Sequence, residues 1–267
     1  MQIIDAHTHT FPDRLAERAI SVLARQGGIS PYLSGTVDAL TASMQEAGVA
    51  VSMVLPVATS PRQVHTINVL SAQMNGKRGL FYAGAIHPDT ENVEEELDFI
   101  RDAGLFGIKL HPDYQGTFFD DERYLRIMEQ AARRGLMTVT HAGLDIAYPD
   151  CIHCTADHIL HVLEELKGVI EDRLILAHMG SYADTDEILE RVAGKPVYMD
   201  TAFVLDEYPE RCLKIIRRHS ASRVLFATDS PWKPQKEYVQ RILSLPLSEE
   251  EKEQICWGNA ARILHLE

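Results

Sequence analysis

The chain has 267 residues, of which 45% are hydrophobic and 24% are charged. This composition is typical of a soluble globular protein and excludes a disordered chain, a collagen-like repeat and a coiled coil. Its 26 lysines and arginines against 39 aspartates and glutamates give a formal net charge of −13. A surface with this charge disfavours nucleic acid and anionic membranes as partners.

The sequence shows no clear pattern of a membrane span, a secretory leader or a disulfide-rich protein. No run of about 18 apolar residues is present, so we expect no membrane span. No charged and then apolar leader precedes Ile3, and the chain has 4 cysteines. We therefore expect a cytoplasmic protein without a disulfide framework.

Short apolar runs alternate with longer amphipathic stretches along the chain, a pattern typical of repeated βα units around a parallel sheet. Predicted helices include Asn92–Ala103, Asp121–Arg134 and Ala156–Lys167. The predicted strands are Gln2–Ala6, Val49–Val57, Leu80–Ile86, Gly107–Leu110, Met137–Thr140, Leu174–Ala177, Val197–Thr201 and Val224–Thr228. Eight strands in about 250 residues predict an α/β protein, a single (β/α)8 TIM barrel forming one domain over residues 1–267.

A histidine or an aspartate follows directly where most of the predicted strands end. Because the C-terminal ends of parallel barrel strands converge at one mouth, these side chains are expected to meet there. In chain order they are His7 and His9, His87, His111, His141, His178 and Asp229.

The pair His7 and His9 gives the sharpest signal. Residues two apart on a strand project to the same side, so two imidazoles can bind one metal ion at about 2.0–2.1 Å. His-x-His alone is weak evidence, but His141, His178 and Asp229 complete a mixed nitrogen and oxygen ligand set. Such a set suits zinc, with manganese, iron or nickel as alternatives. We therefore predict one or two metal ions at the mouth of the barrel.

An ordered set of motifs covers essentially the whole chain and resembles the amidohydrolase superfamily, most closely its amidohydrolase 2 branch. That branch contains hydrolases together with non-oxidative decarboxylases and hydratases that act on small carboxylated substrates. The motifs are Ile-Asp-Ala-His7-Thr-His9, Gly107-Ile-Lys109-Leu-His111-Pro, Thr-His141-Ala-Gly, Leu-Ala-His178-Met-Gly-Ser, Ala-Thr-Asp229-Ser-Pro-Trp and Gly258-Asn-Ala-Ala-Arg-Ile-Leu.

The resemblance implies a role for each of five residues. His7 and His9 would bind the more buried metal position, and Asp229 would be a further ligand and a proton acceptor. His141 would be a ligand as well. His178 would either bind a second metal or transfer protons beside a single one.

Lys109 bears on the choice of chemistry. It shares one face of the fourth strand with His111, and this face is expected to line the barrel. In some superfamily members a lysine at this place is carboxylated and bridges two metals, which favours hydrolysis. Alternatively, Lys109 pairs with a substrate carboxylate or with Asp200 near the end of the seventh strand. The sequence leaves both alternatives open.

Two further histidines are candidates for substrate contact, beside Lys109 and His111. His87 ends the third strand, and His153 lies in the long loop after the fifth strand. The stretch Cys151-Ile-His153-Cys154 looks like half of a zinc knuckle, but no second cysteine pair stands at the spacing that such a site needs.

We therefore predict a metal-dependent hydrolase that cleaves an amide, cyclic amide or ester bond of a small carboxylated substrate through metal-activated water. Asp229 would act as the base, and His178 would polarise the carbonyl group or transfer a proton. A non-oxidative decarboxylase or hydratase on the same site is the alternative, and a metal-binding barrel without turnover is the third. The predicted partner is a small molecule, and homo-oligomer formation is left open.

Overall fold

A computed structural model describes residues 1–182 and 185–266. Within these residues the sheet consists of nine β-segments, of which the third and fourth are two halves of one barrel strand separated by Ala83. The segments are β1 (Ile4–Thr8), β2 (Val51–Val54), β3 (Leu80–Tyr82), β4 (Gly84–Ala85), β5 (Gly107–Leu110), β6 (Met137–Thr140), β7 (Leu174–Leu176), β8 (Tyr198–Asp200) and β9 (Val224–Leu225).

All strand neighbours run parallel and follow chain order, β1 to β3 in one sheet and β4 to β9 in another. Backbone hydrogen bonds join the first strand to the last. Ala6 N–H donates to the Phe226 carbonyl at 2.8 Å, and Asp229 N–H donates to the His7 carbonyl at 2.9 Å. Ala83 N–H donates to the β2 carbonyl of Val54 at 3.0 Å and so continues the third strand across its break. The predicted (β/α)8 barrel is confirmed.

Helices connect successive strands on the outside of the barrel. Each helix among the described residues is too short or too polar to cross a bilayer. The α-helices are α1 (Asp13–Gly27), α2 (Val37–Ala47), α3 (Val64–Met74), α4 (Val93–Asp102), α5 (Pro112–Gln115), α6 (Glu122–Arg133), α7 (Ala156–Glu165), α8 (Thr185–Glu187), α9 (Pro209–His219), α10 (Gln235–Ser244), α11 (Glu249–Glu253) and α12 (Asn259–Leu264). Two π-helical turns, Ile188–Val192 and Gln254–Gly258, continue α8 and α11.

The predicted helices are present, but slightly shorter than expected. At α6 the reason is a cap: the Asp121 carboxylate accepts the N–H of Arg123 at 2.9 Å, so Asp121 stands just outside the helix. Thr155 caps α7 in a similar way: its hydroxyl oxygen accepts the N–H of His158 at 3.4 Å.

Several strands also end earlier than predicted, because the backbone turns sharply at the mouth. His178, Met179, Phe203 and Asp229 have φ angles of 57°, 54°, 66° and 68°. Residues other than glycine reach this left-handed region at a cost of about 1–3 kcal/mol each, and such residues cluster at functional sites. The last residues of these predicted strands therefore lie in strained turns and not in the sheet.

A β-bulge in β1 sets the direction of His7. The register against β2 shifts by one residue between Asp5 and Thr8. Ala6 then packs in the barrel interior, and its neighbour His7 also faces the inside, at the mouth. Regular alternation would have placed neighbours on opposite faces.

The Asp5 carboxylate joins the first strand of the barrel to the chain segment that follows the last strand. It is fully buried and accepts hydrogen bonds from Thr228 N–H at 3.0 Å, Thr228 hydroxyl at 2.6 Å, the Gln235 amide at 2.8 Å and His7 N–H at 3.2 Å. Burial raises its pKa to about 6, although these hydrogen bonds oppose the shift. Asp5 therefore anchors β1 to the segment after β9 and to α10.

We expect Asp5→Ala to lower the free energy of unfolding by about 3 kcal/mol, because it leaves several buried donors without an acceptor. Asp38→Ala is the control, since Asp38 is an exposed partner of Arg78 and such pairs contribute about 0–1 kcal/mol. Urea unfolding followed by circular dichroism measures both variants. Equal losses for the two would contradict this role of Asp5.

Candidate metal centre and active site

A cavity of about 190 Å³ opens at the C-terminal ends of the strands. Its walls are mainly apolar and include Leu55, Ile146, Phe203 and Trp232. Its polar lining contains seven residues that the sequence assigned to the site, namely His7, His9, Lys109, His111, His141, His178 and Asp229.

Three of these residues form a compact donor group, His7, His9 and Asp229. The Nε2 atoms of His7 and His9 are 3.2 Å apart. Asp229 Oδ1 lies 3.2 Å from His9 Nε2 and 3.7 Å from His7 Nε2. Ligands that bind one ion at about 2.0–2.2 Å are separated by distances close to these.

The hydrogen bonds behind the two imidazoles fix their orientation. His9 Nδ1 lies 2.7 Å from the Leu55 carbonyl, and His7 Nδ1 lies 2.8 Å from Asp200 Oδ2. Because these oxygens can only accept, both Nδ1 atoms carry the proton. Burial lowers the pKa of His7 well below its usual value, which keeps the ring neutral. Its Nε2 lone pair therefore faces the group.

The donor group thus brings two imidazole nitrogens and one carboxylate oxygen together without a proton to share between them. Burial opposes ionisation of Asp229, but the proximity of the His7 and His9 rings holds its pKa below the ordinary value. Three acceptors at such distances repel one another unless a cation lies among them. The residues therefore fit a divalent metal ion.

Asp200 orients the site from below. Its Oδ2 holds His7, while its Oδ1 accepts the backbone N–H of His178 at 2.9 Å and of Ala202 at 3.0 Å. Asp200 does not pair with Lys109: no carboxylate of the described residues lies within 4.0 Å of the lysine amine. The Lys109–Asp200 pair, one of the alternatives that the sequence left open, is therefore not formed, and both Asp200 oxygens accept other hydrogen bonds.

His178 and His141 lie beside this donor group and contact each other. His178 Nδ1 donates to the Ala202 carbonyl at 2.9 Å, so its Nε2 carries the lone pair. That Nε2 accepts from His141 Nδ1 at 3.0 Å. His141 Nε2 is then a buried acceptor without a hydrogen-bond partner among the described residues.

A second group of possible ligands contains His111, His141 and Asp145. The two imidazole rings are stacked, with centroids 4.5 Å apart and planes inclined by 7°. A metal ion lies close to the plane of each imidazole that binds it, and two parallel, stacked planes cannot share one ion. His111 Nδ1 also accepts the N–H of Tyr114 at 3.4 Å, so its Nε2 carries the proton, directed at Asp145 Oδ2 3.5 Å away. This group fits a polar pocket wall and not a second metal site.

An amidohydrolase family profile matches residues 4–266. The chain belongs to the amidohydrolase family. No curated protein sequence matches it. Solved structures share the fold of this amidohydrolase at low sequence identity, so they bear on its architecture.

A 2,6-dihydroxybenzoate decarboxylase with bound 2,6-dihydroxybenzoate is 16% identical with a TM-score of 0.77, covering 100% of both chains. The 5-carboxyvanillate decarboxylase of Sphingomonas paucimobilis is 17% identical with a TM-score of 0.73, over 100% of this chain and 99% of its own. A dihydroxybenzoic acid decarboxylase of Polaromonas with bound manganese and 2-nitroresorcinol is 15% identical with a TM-score of 0.72, over 99% of this chain and 97% of its own.

Two predicted substrate residues of the amidohydrolase lie outside the cavity lining. His87 Nδ1 accepts the N–H of Asp89 at 3.1 Å, so the His-Pro-Asp sequence forms a turn and draws the ring away from the mouth. His153 Nδ1 donates to Asp113 at 2.9 Å, which draws this ring to the outer side. His87 and His153 therefore lie outside the lining of this cavity, and their substrate contacts stay a prediction.

Asp145 is a lining residue that sequence reasoning missed. It follows the His141-Ala-Gly turn in a loop without a spacing pattern, so the sequence carried no signal beyond its place at the mouth. Burial raises its pKa to about 6, opposed by the hydrogen bond from Ala147 N–H.

We expect His9→Ala to lose at least about 90% of the divalent metal that the wild-type amidohydrolase retains after dialysis, because one of three convergent ligands is gone. Asp200→Asn should weaken metal binding by about 10–100-fold, the usual effect of removing an orienting carboxylate. His65→Ala is the control, since His65 is exposed and pairs with Glu96. Metal analysis and competition with a chelator measure these effects, and unchanged affinity in His9→Ala would refute the site.

Proposed function

We propose that this amidohydrolase is a metal-dependent lyase that removes a carboxyl group from a small carboxylated ring compound, without oxidation. The observation that carries the proposal is that, of the two candidate ligand groups among the described residues, the group of His7, His9 and Asp229 fits a metal ion, whereas the stacked rings of the second group do not. A carboxylated lysine bridging two ions needs two such groups. His7, His9 and Asp229 would hold the ion, with His178 Nε2 beside them. When bound, the ion would supply a Lewis acid to substrate oxygens.

Lys109 is suited to hold the substrate carboxylate. Its side chain is 1% exposed and lines the cavity. Burial lowers the pKa of the amine to about 8, against the opposing charges of Asp200, Asp229 and Asp145. The amine thus remains largely protonated near pH 7. An anionic substrate would give this buried cation the close partner that the described residues do not provide.

The shape of the cavity favours one flat, apolar ring. A cavity of about 150 Å³ lined by apolar side chains is large enough for benzene. The volume here is about 190 Å³, and Leu55, Ile146, Phe203 and Trp232 contribute apolar walls. This leaves room for the ring and a few polar substituents, which would face the histidines and Lys109.

Decarboxylation breaks a carbon–carbon bond and replaces it with a carbon–hydrogen bond, so the site must deliver one proton. We assign delivery of this proton to His178 Nε2, which first takes it up, because Nε2 of the neutral ring carries the lone pair. His141 Nδ1, at 3.0 Å from Nε2, can pass a proton to it, and solvent in the cavity that His141 lines would replace that proton.

The comparisons support this choice between the alternatives. Three solved structures with this fold are decarboxylases of hydroxylated or methoxylated benzoates, and one of them holds manganese. The bound manganese favours this ion among the predicted alternatives to zinc. Because their sequence identity to this chain is low, these structures support a class of substrate for it but do not identify an individual substrate.

Hydrolysis remains the second candidate, because Lys109 stands on β5 where some superfamily members carry a carboxylated lysine. The intact mass of the native protein separates the two candidates. A mass increase by one carbon dioxide on Lys109, together with two ions per chain, favours the hydrolase. A free amine with one ion favours the lyase.

We expect the metal-loaded protein to release carbon dioxide from at least one member of a panel of hydroxylated and methoxylated benzoates. On that substrate Lys109→Met should lower kcat/KM by about 10²-fold, because a buried charge-assisted contact is lost. Lys236→Met is the matched control, since Lys236 is exposed and pairs with Glu46. Amide or ester cleavage without any carbon dioxide release would refute the proposal.

His178→Asn should lower kcat by about 10²–10⁴-fold while metal content stays within about twofold of wild type, because proton transfer is lost and the ligand group remains. Stopped-flow detection of carbon dioxide gives the rate, and metal analysis gives the content. Parallel loss of metal and activity would instead make His178 a ligand.

A further inference from the structure

The loop after β6 carries an exposed thiol beside a half-buried imidazole, which pairs with a buried carboxylate. Cys151 is exposed, and its Sγ lies 3.9 Å from His153 Nε2. His153 Nδ1 lies 2.9 Å from Asp113 Oδ1. None of these three residues lines the cavity, and the contact of the cluster with the proposed lyase site is through Asp113 Oδ2, 3.8 Å from His141 Nε2.

The hydrogen bonds place the protons within this cluster. The Asp113 carboxylate can only accept, so His153 Nδ1 carries the hydrogen and Nε2 of the neutral ring presents its lone pair to the thiol. The Cys151 S–H can then donate to that nitrogen. A carboxylate, an imidazole and a thiol in this order form the arrangement that activates a nucleophilic cysteine.

The imidazole is held in place on several sides. The backbone N–H of His153 donates to Asp113 Oδ1 at 3.3 Å, and its carbonyl accepts the N–H of Phe119 at 2.9 Å. Phe118 packs beside the ring with centroids 4.9 Å apart. The base is therefore fixed, and the thiol next to it is open to solvent.

We propose that Cys151 is a reactive modification site for soft carbon electrophiles such as haloacetamides and enones. With iodoacetamide, the sulfur forms a bond to the methylene carbon as the carbon–iodine bond breaks and iodide leaves. The thiol proton passes to His153 Nε2 and from there to water. An ordinary thiol is only a few per cent ionised at pH 7, so acceptance of its proton raises the reactive fraction.

The other cysteines serve as internal controls. Cys154, Cys212 and Cys256 are buried, and burial raises the pKa of each thiol. In the folded protein they should remain unlabelled while Cys151 reacts. Their protection also reports that a variant has folded.

The test is the rate of iodoacetamide labelling at Cys151, followed by peptide mass spectrometry in wild type and in His153→Asn. At pH 7 we expect wild type to react about tenfold faster. At pH 10, where an ordinary thiol ionises unaided, the two rates should converge. Equal rates at pH 7 would overturn the proposal. A ratio that persists at pH 10 would also overturn it, since this would reflect access to the thiol and not its ionisation.

Two further measurements test the proposal if the His153→Asn variant does not fold. Asp113→Asn should slow labelling at pH 7 in the same direction, because the imidazole loses the carboxylate that orients it. Native wild-type Cys151 should also react faster at pH 7 than the same cysteine in urea-unfolded protein. A native rate no faster than the unfolded rate would overturn the proposal. Neither measurement involves metal or turnover, so the result is independent of the proposed lyase activity.

Discussion

The site depends on three acceptor atoms that face one another, the Nε2 atoms of His7 and His9 and Oδ1 of Asp229. Their mutual distances of 3.2–3.7 Å are unfavourable without a cation, and the fold maintains them through Asp200 and the Leu55 carbonyl. The fold thus supplies the orientation, and binding of an ion would repay its electrostatic cost. The cavity, the Asp200 carboxylate and the β-bulge in β1 all help to position these three atoms.

Backbone strain is concentrated around the same place. His178, Phe203 and Asp229 all adopt left-handed conformations where β7, β8 and β9 end. The barrel can tolerate this cost because the buried Asp5 carboxylate joins β1 to the segment that carries Asp229. The packed layers of the barrel therefore provide stability, and the mouth carries the strained residues of the candidate site.

The sequence predicts the barrel and seven lining residues, because an apolar run followed by a histidine or an aspartate can be recognised from neighbouring residues in the sequence. It does not predict where a side chain turns once the strand has ended. His153 is drawn outward by Asp113, 40 residues earlier in the chain, and the stacking of His111 on His141 joins two separate strands. These contacts are non-local, so periodicity cannot reveal them. The stack is nevertheless the observation on which our proposal of one metal position depends.

The central claim is that the barrel holds one metal ion, bound by imidazole and carboxylate ligands of a single donor group. X-ray absorption spectroscopy of the metal-loaded protein tests this most directly, because it reports both the ligands and any neighbouring metal. We expect nitrogen and oxygen ligands at about 2.0–2.2 Å, imidazole scattering beyond them, and no metal–metal signal. A second metal at about 3.5–4 Å, the separation typical of two-metal hydrolytic sites, would contradict the account.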